Sequence, residues 1–181
     1  MHKLLIIKQD MKKTNENKLF LICPDCFLEN RIQHNFPGQS YFATALGAVF
    51  APIKFGYAES INGIINRENI KEVYVVNDTS CRFINAIIQG EEGFNTKEEK
   101  ILNDVFYENS VAILKHENIK DRAMELLQLN LTKQVKELRK TDLIGSKFQA
   151  GVLTIEGLIY DRKTLSFEML HIKDNSHEPS M

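Results

Sequence analysis

The chain has 181 residues, 43% of them hydrophobic and 26% charged, with a formal net charge of −1. That composition suits one globular domain with a sizeable core, so a single domain over residues 1–181 is expected. The near-neutral balance leaves no electrostatic footprint for nucleic acid or an anionic membrane, and three cysteines are too few, and odd in number, for a secreted disulfide framework.

The opening MHKLLIIKQDMKK has an apolar run of only four residues, 4–7, before charges resume. This is short for the core of a secretion signal and no small-residue cleavage site follows, so a cytoplasmic protein is expected. Residues 3–8 read as a short strand within an N-terminal extension, 1–17. KLFLIC, 18–23, is a continuous apolar run of the kind buried on both faces of a parallel sheet. The Pro37-Gly38 turn signal precedes a second strand over 38–45. The longest weakly charged stretch, YFATALGAVFAPIKFGYA at 41–58, contains Pro52 and Lys54. It falls short of the roughly 20 apolar residues of a membrane span and reads as core or subunit interface.

Over 58–68, Ile61, Ile64 and Ile65 recur at helical spacing. EVYVVN, 72–77, is a strand, and SCRFINAIIQG, 80–90, is a helix with Phe83, Ile84, Ile87 and Ile88 on one face and Gly90 as its stop. Strand and helix in alternation indicate a parallel α/β sheet. Thr96 and Glu99 form a capping-box pattern ahead of two charged helices, 97–115 and 118–140, with solvated outer faces. Residues 150–172 read as two strands joined across 161–164, and the tail KDNSHEPSM, 173–181, is expected to be disordered. The fold class is therefore α/β: a mostly parallel sheet of about four strands with flanking helices and an antiparallel C-terminal addition.

Two strand tips carry the chemistry. KLFLIC runs into Cys23, Asp25 and Cys26, and EVYVVN runs into Asp78 and Cys81. Functional groups of open parallel sheets gather beyond the carboxyl ends of strands. Thiolate sulfur suits Zn²⁺, and a carboxylate oxygen is an acceptable further ligand. The five histidines, at 2, 34, 116, 171 and 177, are scattered, with none at either tip. Cys26 would serve equally as an extra ligand, giving three sulfurs and an acid. Against metal binding, free cysteines are often simply buried, and Asp78 is well suited to cap the following helix. Cys23-Pro24-Asp25-Cys26 also matches a thiol redox tip. The segment after it is short and interrupted by Pro37, and redox exchange leaves Cys81 unexplained.

The order Cys23-x-Asp25, the Pro37-Gly38 turn with an aromatic strand, the Ser60-Ile61 helix, Asp78-x-x-Cys81 and the closing LTIEGLIYDRKTLSFEML together resemble the β-class carbonic anhydrases over residues 18–170. The resemblance implies a homodimer with subunit contact in 41–58, and reversible hydration of carbon dioxide to bicarbonate at a zinc ion. Carried over by position, Cys23, Asp78 and Cys81 stand at the metal and Asp25 stands beside it as the catalytic carboxylate. The family pattern has arginine where Phe27 stands, histidine where Asp78 stands and glycine where Arg82 stands, and only Gly47 survives of a pocket-lining stretch near 44–48. A carboxylate in place of imidazole makes the loaded site −1, and an anionic site acidifies water less. With Phe27 unable to pair with it, Asp25 is expected to be free to bind the metal and close the site, the alternative being that Arg31 or Arg82, both nearby in sequence, substitutes for the missing cation. Weak or lost activity follows. The alternatives are a non-catalytic relative binding a small anion, another ligand or a protein partner, and a thiol redox protein using Cys23 and Cys26.

Overall fold

The computed structural model describes residues 14–50, 57–91, 93–170 and 172. The strand expected at 3–8, the tail from 173 and residues 51–56 of the apolar stretch lie outside the described residues. Among the described residues the sheet has five strands: β1 (Lys18–Ile22), β2 (Ser40–Thr44), β3 (Glu72–Asp78), β4 (Thr154–Asp161) and β5 (Ser166–Leu170). Their spatial order is β2-β1-β3-β4-β5. The first three pairings are parallel, and β5 returns antiparallel on β4.

The continuous apolar runs occupy the centre. Every residue of β1 and β3 is buried, as for strands covered on both faces. Phe20 packs its ring between those of Phe42 and Tyr74, 5.8 and 5.3 Å away, and Phe36 closes over it at 5.0 Å. Full burial of each such side chain contributes about 1.5–3 kcal/mol. Lys18, at the amino end of β1, is buried too. Its ammonium donates to the carbonyls of Thr14, Glu16 and Pro37 and lies 3.8 Å from Glu72.

Helices cover the sheet: α1 (Glu29–Asn35), α2 (Tyr57–Arg67), α3 (Arg82–Gln89), α4 (Lys97–Glu108), α5 (Ser110–Leu114), α6 (Ile119–Lys140) and α7 (Asp142–Gln149). α6 lays Leu127, Leu131, Val135 and Leu138 into the core. The expected helix 97–115 is two pieces. The Asn109 side chain donates to the carbonyl of Val105 at 2.8 Å, and its backbone leaves the helical region with φ −119°. α7 was not expected from sequence. Thr141 ends α6 and caps α7, its hydroxyl accepting from the amides of Ile144 and Gly145. The capping box of Thr96 and Glu99 forms in full.

Parallel registry decides where the site lies. Ile22 is opposite both Thr44 and Val76, so the chain leaves β1, β2 and β3 at the same end of the sheet. The Cys23 turn and the Asp78–Cys81 turn therefore emerge side by side.

Candidate metal centre

Cys23 follows β1 directly, and a single 3₁₀ turn, Pro24–Cys26, begins there. Proline at its first position sets the turn, the Cys26 amide donates to the Cys23 carbonyl at 3.1 Å, and Phe27 ends it in the left-handed region at φ 50°. The turn folds Cys26 back towards Cys23. Cys81, at the start of α3, comes from the neighbouring tip. The three sulfurs lie within 4.8 Å of one another, and the residues are 0%, 1% and 1% exposed. None forms a disulfide.

A second 3₁₀ turn, Leu46–Ala48, supports the cluster from the β2 end. Gly47 sits at φ 63°, a conformation that favours glycine, and points its amide at the Cys23 sulfur, 3.3 Å away. A Cβ on Gly47 would meet Leu102 Cδ1 at 2.6 Å. The Gly47 carbonyl accepts from the side-chain amides of Asn77 and Asn130, both at 3.1 Å. Gln134 continues this buried network to Asn130 and to the Phe50 amide. The Cys26 sulfur also lies 3.5 Å from Asn77 Oδ1.

The thiols share protons unequally. Hydrogen bonds from the Cys26 and Cys81 thiols, together with the Gly47 amide, pull the Cys23 thiol down to about 3 against burial. The negative Cys23 sulfur holds the proton on its neighbours. It pushes Cys81 up to about 12 and raises Cys26 well above its usual range. One thiolate thus sits between two protonated thiols.

Each aspartate of the tips is engaged by an arginine. From sequence, Asp78 was expected beside Cys23 and Cys81; in the structure Cys26 joins those two sulfurs instead. Asp78 is 0% exposed, and its Oδ1 accepts from the Ser80 amide and hydroxyl at 2.6 and 2.7 Å. Its Oδ2 accepts from Arg162 Nε and Nη2 at 3.1 and 2.8 Å. Arg162 stands in the turn between β4 and β5, and its own pKa is raised chiefly by this bond.

Asp25 is paired as well. Arg82, the first residue of α3, reaches across from the second tip and lies 2.9 Å from Asp25 Oδ2. Asp25 is therefore not left free by the loss at Phe27, which is 77% exposed: of the two arginines considered from sequence, Arg82 supplies the guanidinium from the adjacent strand tip. Arg82 also stacks over the Phe94 ring at 5.3 Å. Among the described residues no histidine joins the group. His116 instead lies 3.2 Å from Glu125. Arg162, Asn77 and the support from Asn130 carried no sequence signal, since each acts through contacts distant in the chain.

Three convergent soft sulfurs, one already anionic, fit a thiophilic divalent ion such as Zn²⁺. Fold and site together define a parallel α/β protein with a sulfur centre at its strand tips. The carbonic anhydrase family profile matches residues 18–166. The fold is similar to the β-carbonic anhydrases CafA and CafD of Aspergillus fumigatus, each with a TM-score of 0.76. CafA is 20% identical, covering 91% of this chain and 78% of that one; CafD is 16% identical, covering 89% and 92%. It is likewise similar to a tetrameric β-carbonic anhydrase of Sordaria macrospora, 17% identical over 86% of this chain and 81% of that one, with a TM-score of 0.75. No curated protein sequence matches significantly. The chain belongs to the carbonic anhydrase family. Three cysteines, Cys23, Cys26 and Cys81, meet at its strand tips in a group that could hold a metal ion.

Proposed function

We propose that Cys23, Cys26 and Cys81 hold a zinc ion and that hydration of carbon dioxide at this centre is weak or lost. The observation that carries this reading is the convergence of three sulfurs with no imidazole among the described residues. When bound, zinc supplies a Lewis acid that acidifies water. Three thiolates and one divalent ion sum to −1, whereas two thiolates and a neutral imidazole sum to zero. The extra negative charge makes the centre a poorer acid, and burial strengthens the effect by removing screening.

The chain's own groups divide the remaining work. Gly47 N–H stabilises the anionic Cys23 sulfur. Arg82 orients Asp25 at the mouth, where this carboxylate is assigned to accept a hydrogen bond from a small ligand. The exposed Arg82 guanidinium supports an anion such as bicarbonate as that ligand. We place the protein in the cytoplasm, a reading supported by its three free thiols. No described helix is long and apolar enough to cross a membrane. A homodimer is supported by β2, an edge strand whose Tyr41, Phe42 and Ala43 are only partly covered.

A thiol redox role draws support from the depressed Cys23 within Cys-x-x-Cys, but the near-complete burial of all three sulfurs opposes exchange with a protein disulfide. The deciding experiment is metal analysis after anaerobic zinc reconstitution, followed by stopped-flow CO₂ hydration. About one zinc per chain and near-background hydration are expected. A Cys26→Ala, Asp78→His variant should hydrate CO₂ faster than the native chain. Absence of metal overturns the metal reading; ordinary family-level hydration by the native chain overturns the reading of weak activity.

A further inference from the structure

We infer that Arg162 is a positioning residue that keeps the Asp78 carboxylate off the metal, so that the centre stays all-sulfur and open to an exogenous ligand. This rests on the reading that Cys23, Cys26 and Cys81 hold a divalent ion.

Asp78 belongs to the same tip as Cys81 and is fully buried. A buried carboxylate near a cation normally binds it, because the alternatives are an unpaired charge or protonation. Here the carboxylate is saturated. An ionised carboxylate has about four acceptor sites, and the Ser80 amide, the Ser80 hydroxyl, Arg162 Nε and Arg162 Nη2 supply a donor to each. Its oxygens have no capacity left for a metal.

Arg162 is placed to enforce this arrangement. The same Nη2 that bonds Asp78 donates to the carbonyl of Cys26 at 2.6 Å. One guanidinium therefore ties the second strand tip to the turn that presents Cys26. The Arg162 backbone is itself held over the Asp78 turn. Its amide donates to Thr79 Oγ1 at 3.4 Å, and the Thr79 amide donates to the Tyr160 carbonyl at 3.1 Å. A planar guanidinium satisfies a carboxylate and a carbonyl together; a lysine ammonium lacks that fork. Without Arg162, Asp78 would keep only the Ser80 contacts, and its second oxygen would be free to turn to the ion held by Cys81 on the same strand tip. Arg162 and Cys26 thus act as a pair, one withholding an oxygen donor and the other supplying a sulfur in its place.

The test uses the full chain loaded with Co²⁺, whose d–d and thiolate charge-transfer bands report its ligands, with azide as the exogenous probe. In the native protein azide should shift the d–d bands. Asp78→Asn, nearly isosteric and able to keep the Ser80 contacts, should leave both the Co²⁺ spectrum and the azide response unchanged. Arg162→Met should change the d–d bands and weaken the azide response by about tenfold or more. Adding Asp78→Asn to Arg162→Met should restore the native pattern, which a merely structural effect of Arg162 would not do. A spectral change in Asp78→Asn alone, readable even if Arg162→Met does not fold, would show Asp78 on the metal and overturn the inference. Failure of the double variant to revert would overturn it equally. Absence of any thiolate charge-transfer band removes the underlying metal reading and this inference with it; a band insensitive to Arg162→Met removes the inference alone.

Discussion

Replacing Cys26 by serine separates a three-sulfur centre from the two-sulfur set implied by the family pattern. The change is small for the folded chain. Cys26 is buried, its sulfur lies 3.5 Å from Asn77 Oδ1, and a serine hydroxyl can bond either that oxygen or the Cys23 sulfur, so the metal-free fold should lose only about 1 kcal/mol. The effect on metal is larger. Structural zinc sites with four ligands gain about 10–16 kcal/mol, or about 3 kcal/mol per ligand, which is about a hundredfold in Kd. Loss of one thiolate also takes the loaded centre from −1 to neutral. The assay is competition for zinc against a chromophoric chelator under reducing conditions, with urea unfolding of the metal-free variant as control. Cys23→Ser, Cys26→Ser and Cys81→Ser should each weaken binding by about a hundredfold. If Cys26→Ser binds zinc within about threefold of native while the other two fail, Cys26 is a bystander and the charge-based account of weak activity falls.

Metal binding should depend steeply on pH. With Cys23 held down to about 3 and Cys26 and Cys81 raised, the cluster at neutral pH carries one charge and two protons. Loading therefore releases about two protons, and affinity rises about a hundredfold per pH unit and falls on acidification; calorimetry in buffers of different ionisation enthalpy counts the protons, and a count near zero or three contradicts this distribution. Gly47→Ala forces a side chain into φ 63° against Leu102 and should destabilise by about 1–3 kcal/mol in urea unfolding while weakening zinc binding through the Cys23 contact. A loss of stability with unchanged zinc affinity would show that the Gly47 amide does not tune the sulfur. Thr96→Ala removes the hydroxyl that accepts from the Glu99 amide in a formed capping box and should cost about 1 kcal/mol with zinc affinity unchanged, measured in the same two assays.

The strand-and-helix frame was largely legible because hydrophobic periodicity is local. KLFLI and EVYVVND are short apolar runs with polar ends, a pattern that suits strands covered on both faces, and they became β1 and β3. The hairpin of β4 and β5 and the Thr96 cap were equally readable. The break at Asn109 and the α6–α7 junction at Thr141 were missed. There a single side chain competes with the helix backbone, and periodicity averages over such residues.

At the site, the amino-acid order determined that Cys23 and Cys81 end parallel strands and that Cys26 lies one turn from Cys23; the choice of donors was not determined by it. Asp25 and Asp78 read alike along the chain, as acids next to cysteines. Each found a guanidinium through a contact that only folding creates, Arg82 for Asp25 from the neighbouring strand tip and Arg162 for Asp78 from the β4–β5 turn. Charge pairing acts through space over a few ångströms, whereas strand periodicity acts along the chain, so the pattern specifies the sheet while the packed molecule alone decides which guanidinium meets each carboxylate and which sulfurs come together.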